Sequence, residues 1–280
     1  MKFLFSFIFL IISLSLPAYQ LCVCAIFQNE SRFLKEWIDY HLLVGVEHFW
    51  LYNNESDDAY REILQPYIDA GTVDLYEWPN KWPQESFFYG CQAYAYQDAL
   101  SKAKKATTWL AVIDVDEFIV PLDSLSVLET LRKHYRRFSG VGVHWQTFGT
   151  SGVDFIHPGE LMIEKLTRKA NKNNYFNGWV KSIFKVKDVV TMLHPHVPVY
   201  LPGKFQVNTN KEQDVSGKKI VTEHLQLNHY WTRDKYHLHQ VKLPRYIKWG
   251  ETYNAIMEKA NALDSEDDYS IQKFVPYLKS

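Results

Sequence analysis

The chain has 280 residues, and its 31 Lys and Arg against 32 Asp and Glu leave a net charge of −1. Hydrophobic residues make up 46% and charged residues 22%, a composition that excludes a disordered chain. A net charge this close to zero argues against a general nucleic-acid binder, which needs a basic face to displace counterions. The unusual quantity is 16% aromatic residues, with 9 Trp, 18 Tyr and 17 Phe; most belong in a core, but the abundance also suits flat ligands such as bases and sugar rings.

Residues 3–16 form an apolar run after Met1-Lys2, broken only by serines and followed by Pro17-Ala18. This reads as a signal peptide, or a short signal anchor, over 1–18, because the run is shorter than the ~20 residues that span a bilayer. The expectation is a protein of the secretory pathway or one held at a membrane through its N-terminus. Residues 21–27 are a continuous apolar run of strand length, the pattern of a parallel strand buried on both faces. Asn29 or Ser31 is placed to cap a helix in which Phe33, Leu34, Trp37, Ile38, His41 and Leu42 recur at helical spacing, with Gly45 as its stop. A strand over 47–52, a helix over 59–70 and a strand over 73–77 follow. A loop with Trp78, Pro79, Trp82 and Pro83 leads to a long helix over 87–103, and the strand 108–113 completes the series. This alternation describes the nucleotide-binding half of an open α/β sheet, whose ligands lie beyond the carboxyl ends of the strands. Beyond it the pattern predicts a helix from Asp123 to Tyr135, strands over 141–145, 180–186 and 226–230, and a helix over 234–249 disturbed by Pro244. No linker divides the chain, so residues 19–280 read as one domain, with a nucleotide half over 19–123 and an acceptor half over 124–280. Cys22, Cys24 and Cys91 are an odd set without zinc spacing and read as reduced and buried.

The chemistry is concentrated in Asp114-Val115-Asp116-Glu117, which ends an apolar strand. Along an extended strand end Asp114 and Asp116 point the same way. Two hard oxygen ligands so placed can hold Mg²⁺ or Mn²⁺, which grips a diphosphate. The bland alternative is a pair of strand-end charges facing water. His194 and His196 form an i,i+2 pair without a third ligand nearby, so packing or acceptor contacts are preferred to a zinc site.

Several blocks together resemble glycosyltransferase family 92. They are Gln28-Asn29-Glu30; Glu36-Trp37 with Tyr40-His41; Tyr52-Asn53 with Ser56-Asp57; Gln92 with Ala95 and Asp98; the Trp109 to Phe118 block; Phe148-Gly149 with Ser151-Gly152; Glu164; Lys181-Ser182-Ile183; and Asn228-His229-Tyr230 with Arg233. The resemblance implies a GT-A-like open mixed sheet flanked by helices and a metal-dependent, inverting transfer from a nucleotide-sugar donor. UDP-galactose is the favoured donor and a glycan hydroxyl the acceptor. It implies donor contacts from Asn29, Glu30, Asn53, Asp57, Gln92, Asp114 and Lys181, and a Mn²⁺ or Mg²⁺ site from Asp114, Asp116 and His229. Glu164, Asp154 and Glu117 are the candidates for the catalytic base. Two positions depart from the family pattern: Gln28 stands where a Lys is usual, which bears on nucleotide contacts, and Asp234 stands where a Ser is usual, which bears on the acceptor. Each residue also has a plainer reading: Asn29 and Asp57 as helix caps, Lys181 as a surface lysine, His229 as a core histidine.

Two other functions compete. A secreted, non-catalytic carbohydrate-binding protein would use the Trp and Tyr content for stacking but leaves the paired carboxylates unexplained. A metal-dependent phosphoesterase would use Asp114 and Asp116 but commonly needs denser His and Asp sets for two metals. A carboxylate pair in a solvated cleft also predicts that Asp116→Ala changes folding little.

Overall fold

The computed structural model describes residues 17–79, 90–213 and 219–280. The leader up to residue 16, Trp82, Pro83 and the predicted start of the long helix at 87 lie outside the described residues. The first part runs β1 (Tyr19–Phe27), α1 (Ser31–Leu43), β2 (His48–Asn53), α2 (Tyr60–Asp69), β3 (Val73–Glu77), α3 (Gly90–Ala106) and β4 (Thr107–Val112). The alternation seen in the sequence is therefore present, with boundaries moved by no more than three residues in the described elements. After β4 come β5 (Glu117–Pro121), α4 (Val127–Thr130), a π-turn (Leu131–Tyr135), β6 (Gly140–Thr147), α5 (Met162–Lys165), β7 (Arg168–Lys169) and β8 (Val180–Lys185). Then follow β9 (Val189–Thr191), β10 (Val199–Tyr200), β11 (Gln206–Asn208), β12 (Leu225–His229), α6 (Lys235–His237), a second π-turn (Leu238–Lys242), α7 (Leu243–Lys248), α8 (Tyr253–Asn261), β13 (Glu266–Asp267) and α9 (Val275–Leu278). Among the described residues no helix is long and apolar enough to cross a membrane.

The main sheet has nine strands in the order β3-β2-β1-β4-β8-β6-β12-β5, with β11 beside β6. β3, β2, β1 and β4 are parallel. β8 runs against both β4 and β6, β12 is parallel to β6, and β5 runs against β12. The expected open mixed sheet flanked by helices is present, and it is continuous across both halves of the chain. This topology puts the carboxyl ends of β1, β2, β4, β6 and β12 on one edge, where β8 and β5 begin. Both faces are covered. One core layer includes Leu21, Val23, Phe33, Leu34, Trp37 and Phe49; the other includes Cys22, Cys24, Tyr96, Leu100, Leu110 and Val112. Each such side chain removed from water contributes about 1.5–3 kcal/mol. Cys22 and Cys24 lie in the same layer, as their i,i+2 spacing requires, and burial pushes the Cys22 thiol up to about 12. The three cysteines form no disulfide among the described residues, and Cys91 is partly exposed rather than buried.

Several local expectations need correction. The chain does not continue extended through Asp114 and Asp116: it turns, with Glu117 N donating to Asp114 O at 3.0 Å, and starts the separate strand β5. β5 is short and its apolar run is contiguous with β4, so only the turn and its pairing with β12 separate the two. α1 is not capped by Asn29 or Ser31. Its N-cap is Glu30 without a side-chain bond, and Ser31 N donates instead to Asp58 Oδ2 of the neighbouring loop at 2.8 Å. The helix expected from Asp123 begins at Val127 behind a Ser126 cap. The disturbance near Pro244 is the π-turn just before it; the proline itself fits the first turn of α7. Gly149, in one of the family-like blocks, has a packing reason: a Cβ there would lie 2.3 Å from Asp264 Oδ1, which accepts from Ser151 N.

α1 fixes β5 through three polar side chains. Trp37 Nε1 donates to Glu117 O at 2.8 Å and Tyr40 OH to Ile119 O at 3.0 Å. His41 donates through Nδ1 to Trp37 O and accepts from Ile119 N at Nε2, 3.4 Å away. Complete burial pushes the His41 imidazole down to about 3, so it is neutral in the fold. Below pH ~6.5 the unfolded chain binds a proton that the native state refuses. Stability should therefore fall by up to about 1.4 kcal/mol per pH unit between roughly pH 6.5 and 3 on account of this group. Urea unfolding of wild type and His41→Gln across that range checks it: the pH slope should be shallower in the variant by that amount, and parallel slopes would refute it.

Candidate active site

The site lies at the carboxyl edge of the sheet. A cavity of about 320 Å³ is lined by Asp114 and Asp116 from the β4–β5 turn, Trp145 and Thr147 from β6, His229 from β12, and Lys242 from the second π-turn. Phe176, Trp179, His196, Trp231 and Tyr246 complete the wall. The pairing register sets much of this: His229 sits opposite both Glu117 and Thr147. Tyr230 N donates to Asp116 O at 2.8 Å and locks the turn onto β12. Asp116 and His229, over a hundred residues apart, are thus brought together by three adjacent strands.

Asp116 is 6% exposed. Its Oδ2 lies 2.9 Å from Lys242 Nζ and its Oδ1 lies 3.6 Å from His229 Nε2. Burial by itself pushes the Asp116 carboxyl up; Lys242 and His229 outweigh it and hold the group well below the usual carboxylate range. Asp114 faces a different set of partners. Its Oδ2 accepts from Lys181 Nζ at 2.9 Å, and its Oδ1 accepts from Gln92 Nε2 at 2.9 Å and Tyr96 OH at 3.0 Å. Lys181 is 1% exposed, so it is no surface lysine. Burial would push its ammonium down, but Asp114 and Glu117 hold it above its ordinary value. Gln92 is a positioning partner of Asp114 in this structure.

Glu117 is fully buried beneath the turn. Its Oε2 accepts from Asp114 N at 2.8 Å and lies 3.8 Å from Lys181 Nζ. Burial pushes its carboxyl well above the usual range; Lys181 opposes this, while Asp114 and Asp116 add to it. Asp154 is exposed and paired with Lys235 at 2.7 Å. Glu164 is half-buried and paired with Lys279 at 2.6 Å. None of these three lines the cavity.

The donor candidates at β1 and β2 form a second group, also outside the cavity wall. Asn29 takes a left-handed φ of 57°, which Asn tolerates. Its N donates to Ser56 Oγ and its Oδ1 accepts from Asp57 N, both at 2.9 Å, so it joins two loops and caps no helix. Asn53 Nδ2 donates to Glu77 at 2.6 Å and its Oδ1 accepts from Ser56 N. The Asp57 side chain is exposed. Glu30 is buried and its Oε2 lies 2.7 Å from Arg233 Nη2. The two departures from the family pattern also have places. Gln28 O accepts from Arg245 at 3.4 Å, which brings a cation to that position. Asp234 is fully buried, caps α6 by accepting from His237 N, and pairs with Arg32 at 2.7 Å, so it holds structure.

Sequence reasoning missed Lys242 and the aromatic wall. Lys242 lies in a helical pattern where a lysine is ordinary; only the π-turn aims it at Asp116. His196 also lines the cavity, 4.9 Å from the Trp179 ring centroid, with Nδ1 bonded to Val180 O at 2.8 Å. Burial pushes its imidazole down to about 3. Thr147 Oγ1, Trp145 Nε1 and His229 Nδ1 are buried atoms with no hydrogen-bond partner in the protein. Buried polar atoms are normally paired, so these are groups available to a ligand. A carboxylate and an imidazole 3.6 Å apart, with those groups beside them, suit a divalent ion held by one oxygen and one nitrogen.

Because Asp116 and Lys242 are both buried, the expectation that Asp116→Ala leaves folding unchanged is revised. Asp116→Asn or Lys242→Met should each cost about 3–5 kcal/mol by stranding the partner charge. The double variant should cost less than the sum, with a coupling of about 1 kcal/mol or more. Urea unfolding of the four proteins measures this; additive losses would show that the pair is not coupled.

The chain matches a galactan β-1,4-galactosyltransferase, GALS3 of Arabidopsis thaliana, at 32% identity over 41% of the chain and 24% of that protein. A glycosyltransferase family 92 protein of the same plant, At1g27200, is 26% identical over 84% of the chain and 40% of its own length, so the chain spans well under half the length of these relatives. Among solved structures, S. aureus TarS 1-349 overlaps 60% of this chain and 47% of its own with a TM-score of 0.37 and 12% identity. The sequence profile of glycosyltransferase family 92 matches residues 18–275, nearly the whole chain, and the chain belongs to that family.

Proposed function

We propose that the chain is a glycosyltransferase that moves a hexose, galactose by preference, from a UDP-sugar to a glycan hydroxyl with inversion. The observation that carries this reading is the cavity itself, where Asp116, His229 and Lys242 meet Trp145, Trp179 and Trp231. Charged groups and aromatic faces in one cleft suit a diphosphate bound beside sugar rings. Family membership and the likeness to a galactan galactosyltransferase support the reaction class and the preference for galactose.

Asp116 and His229 would hold Mn²⁺ or Mg²⁺, which when bound neutralises charge on the diphosphate. Lys242 supplies a second positive charge beside Asp116 for the leaving nucleoside diphosphate. Gln92, Tyr96 and Lys181 keep the Asp114 carboxylate oriented at the cavity edge. Asn29, Asn53 and Asp57 hold the loops over β1 and β2, where a uracil and ribose would lie. The acceptor sugar stacks on the Trp wall. Its hydroxyl hydrogen-bonds to His196, which burial keeps neutral and whose Nδ1 bond to Val180 O leaves Nε2 to orient the acceptor. Glu117, Asp154 and Glu164, the candidates for the base, do not line the wall.

Two experiments test the proposal. Incubation with Mn²⁺, a galactan oligosaccharide and a panel of nucleotide sugars should release UDP and lengthen the glycan with UDP-galactose. Glycan binding without release would leave a carbohydrate-binding protein, and nucleotide cleavage without glycan extension would favour a phosphoesterase. In the second experiment, His196→Gln should lower kcat by about 10²-fold or more with little change in donor KM. His229→Ala should shift the Mn²⁺ midpoint of activity upward. An unchanged Mn²⁺ midpoint in His229→Ala would remove His229 from the metal site, and an unchanged kcat in His196→Gln would remove that histidine from the acceptor site.

A further inference from the structure

Among the described residues, one group of three His, Cys, Asp or Glu side chains has its ligand atoms within 4.8 Å of one another, and it is not in the cavity: Asp123, His134 and His224. Asp123 follows β5, His134 lies in the first π-turn, and His224 directly precedes β12. Leu122 N donates to His224 O at 3.0 Å, which holds the two strand ends side by side. In the antiparallel β5–β12 pair, Glu117 and His229 face each other at the cavity end and Pro121 and Leu225 at the other. The cluster thus lies just beyond the far end of the pair, roughly 17 Å or more from His229 at about 3.4 Å per residue.

We propose that Asp123, His134 and His224 form a second metal site that takes Zn²⁺. Asp123 Oδ2 lies 2.9 Å from His134 Nε2 and 3.3 Å from His224 Nδ1. Ligands about 2.0–2.2 Å from a zinc ion are themselves about 3.0–3.5 Å apart; the His224 separation falls in that range, and the His134 contact is a hydrogen bond that must open slightly to admit the ion. The two imidazoles stack with centroids 3.6 Å apart and planes 14° from parallel, so their in-plane lone pairs run side by side and one ring must turn about its Cβ–Cγ bond for both to meet one ion. The three side chains are 12–34% exposed, so an ion has a path from solvent.

The surroundings select the kind of metal. Lys133 Nζ lies 3.7 Å from Asp123 Oδ2, Lys211 Nζ lies 3.4 Å from His134 Nδ1, and Lys273 is anchored on the carbonyls of Pro121, Leu122 and Ser124 close by. These cations disfavour a hard ion held by charge alone, such as Mg²⁺. A borderline ion bound through two imidazole nitrogens depends less on that field. Lys133 and Lys211 are exposed, so each can swing into water. Three protein ligands leave a further position to water. The ion would join segments about a hundred residues apart in the chain, at a point remote from the cavity, and so act as a clip on the native state.

Thermal melting of tag-free, chelator-treated protein tests this. Zn²⁺ at a hundredfold excess over its Kd should raise the Tm of wild type by about 5 °C, because it binds the native state alone. The rise should be kept in Asp116→Asn, which disables the cavity, and in that background Mg²⁺ at the same concentration should give none. The Zn²⁺ rise should be lost when His224→Ala or Asp123→Asn is added to Asp116→Asn. Co²⁺ absorption gives a second readout independent of variant stability: visible ligand-field bands in wild type and Asp116→Asn, absent once His224→Ala or Asp123→Asn is added to Asp116→Asn. No Zn²⁺ shift and no Co²⁺ bands in wild type would overturn the proposal. So would signals that vanish in Asp116→Asn alone, or that survive the addition of His224→Ala or Asp123→Asn to it, since the ion would then sit outside the cluster.

Discussion

A buried carboxylate is tolerated only where a counter-charge or a set of donors meets it, and the β4–β5 turn carries three carboxylates in four residues. The fold answers each one separately. Asp114 takes Lys181, Gln92 and Tyr96; Asp116 takes Lys242 and His229; Glu117 is driven toward its neutral form by burial. Lys181 comes from the start of β8 and Lys242 from a π-turn far along the chain. The turn is therefore stable only when the second half of the chain is in place, and the sheet is continuous for a related reason. β8, β6, β12 and β5 extend the parallel strands of the first half and bring these cations to their carboxylates.

The same pairing sets the chemistry of the edge. Asp116 is kept ionised although it is nearly sealed from water, and it shares a cavity with an imidazole and an ammonium group. A low-dielectric pocket strengthens each of these interactions relative to water. The aromatic content of the chain has two uses that the structure separates. Trp37, Phe49 and Tyr40 pack in the interior and hold α1 to the sheet. Trp145, Trp179, Trp231 and Phe176 instead line the cavity, and these come from the less regular second half. The regular half thus supplies the scaffold and the two aspartates, and the irregular half supplies most of the binding wall.

β5 and β12 connect two distinct clusters of ionisable groups, one at each end of the pair. At the cavity end the cluster mixes acids with buried cations. At the far end two stacked imidazoles meet one carboxylate. α1 grips β5 through Trp37, Tyr40 and His41, so the strand that carries both clusters is held rigidly from one side.

The alternating strands and helices of the first half were legible in the sequence because each element there is long and periodic. A parallel strand buried on both faces is a plain apolar run, and a helix ending at Gly45 shows its stop. Asp114 and Asp116 stood out for the same reason, since charge following such a run is conspicuous. β5 was not legible, because its apolar residues continue those of β4 and only tertiary pairing with β12 shows where the chain turns. Lys242 was not distinguishable from a surface lysine until the fold buried it, and Lys181 was singled out only by the family resemblance. Asn29 and Asp234 looked like ligand contacts or caps, and it was long-range packing that made one a bridge between loops and the other a buried cap. Residue identity and local periodicity determine which segments form strands and helices. Which side chains meet across 67, 113 or 126 residues, as Lys181, His229 and Lys242 meet Asp114 and Asp116, depends on strand order and register, which local pattern does not encode.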